Sequence, residues 1–173
     1  WSGLVAPAVA FDGPATIIGG TEAQIVDVPW QVGLLSSTGG PTLWDAQFCG
    51  GSLINESWIV TAAHCVYNNE NSNPITRPSS VSIIAGIADL DQPTGTNEHA
   101  VKGIYVYAGY DGGANDIALI QVRNPFDVSD SAIEPVSLPL ALDGDVIPAL
   151  GTDILVSGWG ESVAYQAGQY PSV

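Results

Sequence analysis

Two cysteines, Cys49 and Cys65, bracket a short segment that restricts the fold of this chain more than any other feature. Between them lie two apolar runs, residues 52–54 and 58–62, joined by the polar residues 55–57. Two such runs around a short polar turn predict a β-hairpin. A disulfide between the two cysteines would then hold the far end of the hairpin together.

His64 comes directly after the second apolar run, where a strand gives way to a loop. Loops held by a rigid sheet often carry functional side chains, although a histidine here could equally be an ordinary polar residue. The whole string FCGGSLINESWIVTAAHC closely resembles the histidine segment of the chymotrypsin-like (trypsin-family) serine proteases. The resemblance implies that His64 is a catalytic residue.

A second string, NDIALI at residues 115–120, resembles the aspartate segment of the same family. In the serine triad, the aspartate accepts a hydrogen bond from the histidine ring and stabilises the imidazolium formed during the reaction. By motif and by chain order, the resemblance assigns this role to Asp116. The alternative is that Asp116 is only a turn residue ahead of a strand.

The family's nucleophile string, Gly-Asp-Ser-Gly-Gly, does not occur among the 173 residues. The specificity pocket and the oxyanion hole belong to the same C-terminal part of the family. Each of these elements contributes orders of magnitude to the rate of acyl transfer. We therefore expect the chain to be the N-terminal part of a trypsin-like serine endopeptidase. It would be a fragment that is inactive alone, with a C-terminal remainder of the same protease as a candidate partner.

The fold class predicted from the pattern is all-β. Six β-rich runs separated by turn signals, with no convincing helix, are the number needed for one closed antiparallel barrel. The domain prediction has four parts: a leader or propeptide remnant, the N-terminal barrel of a trypsin-like protease, an inter-barrel linker, and the start of a truncated second barrel. These parts cover residues 1–16, 17–123, 124–151 and 152–173, respectively.

The string Ile17-Ile18-Gly19-Gly20 resembles the new amino terminus that activation creates in this family. The resemblance implies that Ile17 is the activation N-terminus of a zymogen. Thr16 precedes it where most family zymogens carry Arg or Lys, which puts activation by a trypsin-like enzyme in doubt. The alternative is a plain Gly-Gly turn between the leader and the first strand.

The composition argues against some partners and for one compartment. With 3 Lys and Arg against 18 Asp and Glu, the formal net charge is -15, so nucleic acid and anionic membrane surfaces are poor candidates. A cysteine pair that suits a disulfide favours a secreted, extracellular or periplasmic protein. We expect a protein or peptide substrate, no cofactor and no metal. The loop acids Asp89, Asp91 and Glu98 align poorly with the family's calcium loop.

Two other functions remain open from the sequence. A catalytically inactive protease homologue could keep the barrel as a binding module, and a non-enzymatic acidic β-barrel could act at a cell surface. The missing serine string supports the inactive homologue, but the retained His64 and Asp116 strings argue against it. A non-enzymatic barrel leaves the His64 string unexplained. Asn55-Glu56-Ser57 fits the N-glycosylation sequon, but its tight hairpin and the unknown host argue against its use. His99 is interpreted as a surface loop residue.

Overall fold

The structure is a computed structural model that describes residues 21–68, 73–91, 97–138 and 150–160. Gln24–Ser157 form one compact unit, which is described here by itself. Its described residues form strands β1 to β6, a short α-helix, α1, between β1 and β2, and three single 3-10 turns. In chain order the strands and the helix are β1 Gln31–Ser36, α1 Leu43–Ala46, β2 Gln47–Asn55, β3 Trp58–Thr61, β4 Val81–Ala85, β5 Glu98–Val106 and β6 Ala118–Val122.

The six strands close into an antiparallel barrel in the order β1-β2-β3-β6-β5-β4. Strand β1 pairs with β2 on one side and with β4 on the other, and this second pairing completes the circle. Closure satisfies the backbone hydrogen bonds that an open sheet would leave at its edges. The predicted all-β class and six-stranded barrel are confirmed.

The core follows from the alternation of apolar side chains along the strands. In β6 the pattern is buried at Ala118, Ile120 and Val122 and half-buried between them. A strand of period two places alternate side chains on the same face, so this face points into the barrel. The largest side chains with no more than 1% exposure in this core are Leu34, Leu53, Ile59, Ile83, Ile120, Ile133, Val32, Val66 and Val101.

Gly51 shows why β2 carries two consecutive glycines. A Cβ atom at this position would lie 2.8 Å from the Val60 carbonyl oxygen and 2.9 Å from Ile59 Cγ2. Both atoms belong to β3, which pairs with β2. Any side chain at residue 51 would therefore push these two strands apart, and the hairpin that leads to His64 depends on a residue without one.

The structure differs from the sequence prediction in local detail. Strand β2 begins at Gln47, ahead of the predicted run at 52–54, and the short helix α1 precedes it where the sequence predicted none. His99 is part of β5 and is half-buried, so its interpretation as a loop residue is wrong. Its Nδ1 donates a 2.7 Å hydrogen bond to the Asn124 carbonyl, and its ring stacks on Phe126 with centroids 4.0 Å apart.

Residues 124–138 of the predicted linker pack on the barrel. Phe126 and Ile133 are buried in the core cluster, and the Val136 amide donates a 2.8 Å hydrogen bond to the Leu53 carbonyl. Residues 1–16, most of 139–151 and the end of 152–173 lie outside the described residues, so the four-part domain division stays a prediction. In the described residues, no helix has the length and apolar character needed to cross a membrane.

Candidate active site

His64 lies in a single 3-10 turn, Ala63–Cys65, that begins where β3 ends. Ala63 and Val66, on either side of the His64–Cys65 pair, are fully buried, so the turn is anchored in the core while the His64 side chain is 63% exposed. The predicted disulfide between Cys49 and Cys65 is present and ties this turn to β2. The histidine is therefore a solvent-facing group on a firmly held backbone.

Asp116 contacts His64 through both carboxylate oxygens. The His64 backbone N–H donates to Asp116 Oδ1 at 2.8 Å, and the His64 ring nitrogen Nδ1 lies 2.7 Å from Asp116 Oδ2. These two contacts fix the ring and the backbone of one residue against the same carboxylate. Sequence separation between the partners is 52 residues, so the barrel brings the two motifs together.

The electrostatics of the pair determine which ring nitrogen carries the proton. Hydrogen bonds from the His64 ring, and then from the His64 backbone N–H, lower the pKa of Asp116 below its ordinary 3.8. At neutral pH the carboxylate is thus ionised and only accepts, so His64 Nδ1 must donate. In the neutral ring, Nε2 then holds the free lone pair that a general base needs.

Hydrogen bonds within the loop ahead of β6 hold Asp116 in position. Asn115 adopts a left-handed backbone conformation with φ of 58°, which few residues other than Gly, Asn and Asp accept readily. Its side-chain Nδ2 donates to the Gly109 carbonyl at 3.0 Å. Earlier in the loop, Asp111 Oδ1 accepts from the backbone N–H groups of Gly113 and Ala114.

Sequence reasoning missed Asn115 and Asp111 as positioning residues. The sequence did contain a turn pattern, Asp-Gly-Gly followed by Asn, directly ahead of a strand. This pattern predicts a tight loop, but it does not predict which atoms the side chains contact. Tyr110 also borders this loop, and partial burial, followed by the negative charge of Asp116, raises the pKa of its hydroxyl. Within the described residues of this loop, the Tyr110 hydroxyl thus responds to the charge of the Asp116 carboxylate.

His64, Cys49 and Cys65 bring three atoms that can ligate a metal, one ring nitrogen and two sulfurs, within 4.8 Å of one another. The two sulfur atoms are bonded to each other, and a disulfide supplies no thiolate ligand. This cluster is therefore a histidine beside a disulfide, with Cys65 Sγ 3.6 Å from His64 Nε2. Ile17 lies outside the described residues.

Comparison with known protein families now adds to this geometry. Residues 17–172 match the family model described as Trypsin. This chain belongs to the trypsin family. A trypsin-family domain acts as a serine protease, which agrees with a histidine held by a carboxylate at the end of a β-barrel.

Individual relatives support the same membership. The chain is 36% identical to serine protease SP24D of Anopheles gambiae over 154 residues, covering 89% of this chain and 49% of that relative. It is 33% identical to a trypsin of Phaedon cochleariae, covering 83% of this chain and 50% of the relative. Clotting factor C of Tachypleus tridentatus is 35% identical over an alignment of 171 residues that covers 92% of this chain and 16% of that relative. The chain thus spans about half or less of each relative's length.

Proposed function

We propose that the protein is a trypsin-like serine endopeptidase in which His64 is the general base and Asp116 orients it. The observation that carries the proposal is the pair of Asp116 contacts, at 2.7 Å to the His64 ring and 2.8 Å to its backbone. A carboxylate that fixes Nδ1–H leaves Nε2 free to take a proton from a serine hydroxyl. The same nitrogen, once protonated, would donate to the leaving amine.

The mechanism divides between this barrel and residues elsewhere in the complete protein. The 173 residues contain no Gly-Asp-Ser-Gly-Gly string, so the proposed nucleophile is not among them. We expect the serine to attack the peptide carbonyl while His64 removes its proton, and water to release the acyl group in a second step. The 173 residues alone should then show no peptidase activity, since a base without a nucleophile cannot form the acyl-enzyme.

Two further assignments accompany the proposal. A disulfide and membership of a family of secreted proteases support an extracellular or periplasmic location and protein or peptide substrates. Ile17 is proposed as the amino terminus that activation creates, on the basis of its motif. Amino-terminal sequencing of the mature natural protein should then begin at Ile17, and a mature protein that begins elsewhere would contradict this assignment.

The first test is to label the natural product with a serine-reactive phosphonate probe and to measure its intact mass. We expect a labelled product heavier than the 173 residues. A product of that mass or less, without label, would support the alternative of an inactive homologue that acts as a binding module.

The second test assigns the residues in the complete enzyme. We expect His64→Ala to abolish labelling by the phosphonate probe. Asp116→Asn should lower kcat by about 10⁴-fold, because an asparagine at this position favours the wrong tautomer of the His64 ring. Asp127→Asn is a matched control, since the Asp127 carboxylate accepts hydrogen bonds from Ser129 and not from His64. Equal activity of D116N and D127N would refute the role of Asp116.

A further inference from the structure

The turn between β2 and β3 presents an asparagine with an accessible side-chain amide. Asn55 is the last residue of β2 and pairs with Trp58, the first residue of β3. Asn55 and the following Glu56 are exposed, and Ser57 is half-buried. Asn55-Glu56-Ser57 is the only Asn-X-Ser/Thr string in the 173 residues, with a residue other than proline in the middle.

The two ends of the Asn55 amide have different surroundings. Oδ1 accepts a 2.9 Å hydrogen bond from the Ser57 backbone N–H, which fixes the side chain over the turn. Within the described part of the chain, Nδ2 has no hydrogen-bond partner. The nitrogen to which an N-linked sugar attaches therefore makes no hydrogen bond to the described residues, while the amide oxygen holds the side chain in place.

The backbone of the turn would not have to change in order to carry a sugar. The Val122 amide donates to the Ser57 carbonyl at 3.1 Å, and the Phe126 amide donates to the Glu56 carbonyl at 2.8 Å. Both bonds use main-chain atoms that a substituent on Asn55 Nδ2 leaves intact. The tight hairpin thus restricts the backbone but leaves the acceptor side chain open.

We propose that Asn55 is an N-glycosylation site and that its glycan projects from the end of the barrel opposite His64. Asn55 precedes β3 and His64 follows it, so the length of the four-residue strand separates them along the barrel, about 13 Å at 3.3 Å per residue. A glycan at this position leaves the candidate active site open to a peptide substrate. The proposal rests on the proposed secretory route, because the sequon is used in secreted proteins.

The test measures glycosylation of the protein in total cell extract, so that protein retained inside the cell is also measured. The chain is expressed in insect cells behind a cleavable signal peptide, and its mass is measured before and after treatment with a peptide N-glycosidase. We expect the enzyme to remove a glycan and to convert Asn55 to aspartate. Asn55→Gln and Ser57→Ala should abolish the shift, whereas Ser57→Thr, which preserves the sequon, should retain it.

The outcomes separate this proposal from the protease assignment. A chain whose signal peptide has been removed but whose mass does not change on glycosidase treatment would overturn the proposal. So would a glycan that persists in both N55Q and S57A. Phosphonate labelling of the complete natural protein is a separate measurement. A missing glycan therefore does not affect the test of protease activity, and a missing label does not affect the test of glycosylation. In the complete enzyme, N55Q should retain the kcat/KM of the glycosylated protein.

Discussion

At the scale of single residues, the candidate site depends on one carboxylate that makes several hydrogen bonds. Asp116 accepts from both the ring and the backbone of His64, and these bonds lower its pKa. A lowered folded-state pKa means that the ionised carboxylate favours the folded state over the unfolded chain. The contact that orients the His64 ring should therefore also contribute to stability in a pH-dependent way.

The sign of that contribution can be measured. Stability from Asp116 should be fully present above pH 3.8, its ordinary pKa, and should be lost as the pH falls through the lower folded-state value. We expect urea unfolding to show a gap between the wild-type chain and D116N well above pH 3.8 that narrows well below it. Thr38→Ala, a neutral exposed substitution, should show no such narrowing. A D116N gap that is independent of pH would contradict the argument.

Asn115 allows a second test at this scale. Its φ of 58° is left-handed, and this conformation costs an alanine about 1–2 kcal/mol relative to glycine. Asn115→Ala and Asn115→Gly both remove the hydrogen bond to the Gly109 carbonyl. The difference in stability between the two variants therefore measures the cost of the left-handed backbone conformation alone. We expect N115A to be less stable than N115G by about 1 kcal/mol in urea unfolding. Equal stability would show that the loop relaxes without cost.

At the scale of elements, the hairpin of β2 and β3 connects the core to the site. Leu53 and Ile59 are fully buried and face each other across the hairpin, and the disulfide joins β2 to the turn after β3. The Thr61 hydroxyl adds a 2.8 Å hydrogen bond to the Gly50 carbonyl. The position of His64 is thus set by three independent cross-strand connections.

Removal of the disulfide tests how much the hairpin depends on it. The bridge closes a loop of 16 residues, for which the loss of unfolded-state entropy corresponds to about 3 kcal/mol. We expect Cys49→Ala with Cys65→Ala to lower the free energy of unfolding by about that amount. The wild-type chain in a reducing agent should show the same loss. A double variant as stable as the oxidised chain would show that the barrel holds the turn without the bridge.

The sequence predicted the elements well where hydrophobic periodicity was strong. Each of the six strands overlaps one of the predicted β-rich runs, and the Cys49–Cys65 hairpin was predicted with its disulfide. Strand β5 was predicted to begin at residue 100, so its first two residues, Glu98 and His99, were missed because both are polar. The contacts that hold His99 come from Asn124 and Phe126, which are distant in sequence. The bonds within the Asp111 to Asp116 loop depend on side-chain geometry, which periodicity does not report.

At the scale of the whole molecule, strong negative charge and exposed apolar surface oppose each other. The net charge of -15 favours separation of molecules in solution. Ile154, Leu155 and Val156 are 76%, 72% and 70% exposed, and this run belongs to no regular element of the described chain. Three consecutive exposed apolar residues of high β-propensity are a surface that pairs readily with another chain.

Charge repulsion and apolar attraction together predict self-association that increases with salt concentration. Salt shortens the Debye length to about 10 Å at 0.1 M, so it weakens the charge repulsion while the apolar contact remains. We expect the 173-residue chain to be more associated at high than at low ionic strength, as measured by sedimentation velocity. Replacement of Ile154, Leu155 and Val156 by serine should abolish the salt-induced association.

The control for this prediction must change an exposed apolar residue elsewhere on the chain. Leu138 is 57% exposed and stands outside the 154–156 run, so Leu138→Ser should leave the association unchanged. Association that decreases with added salt would mean that ion pairs between molecules, rather than apolar contacts, hold the chains together. A complete protease that remains monomeric under the same conditions, while the 173 residues associate, would show that the remainder of the protein covers this run.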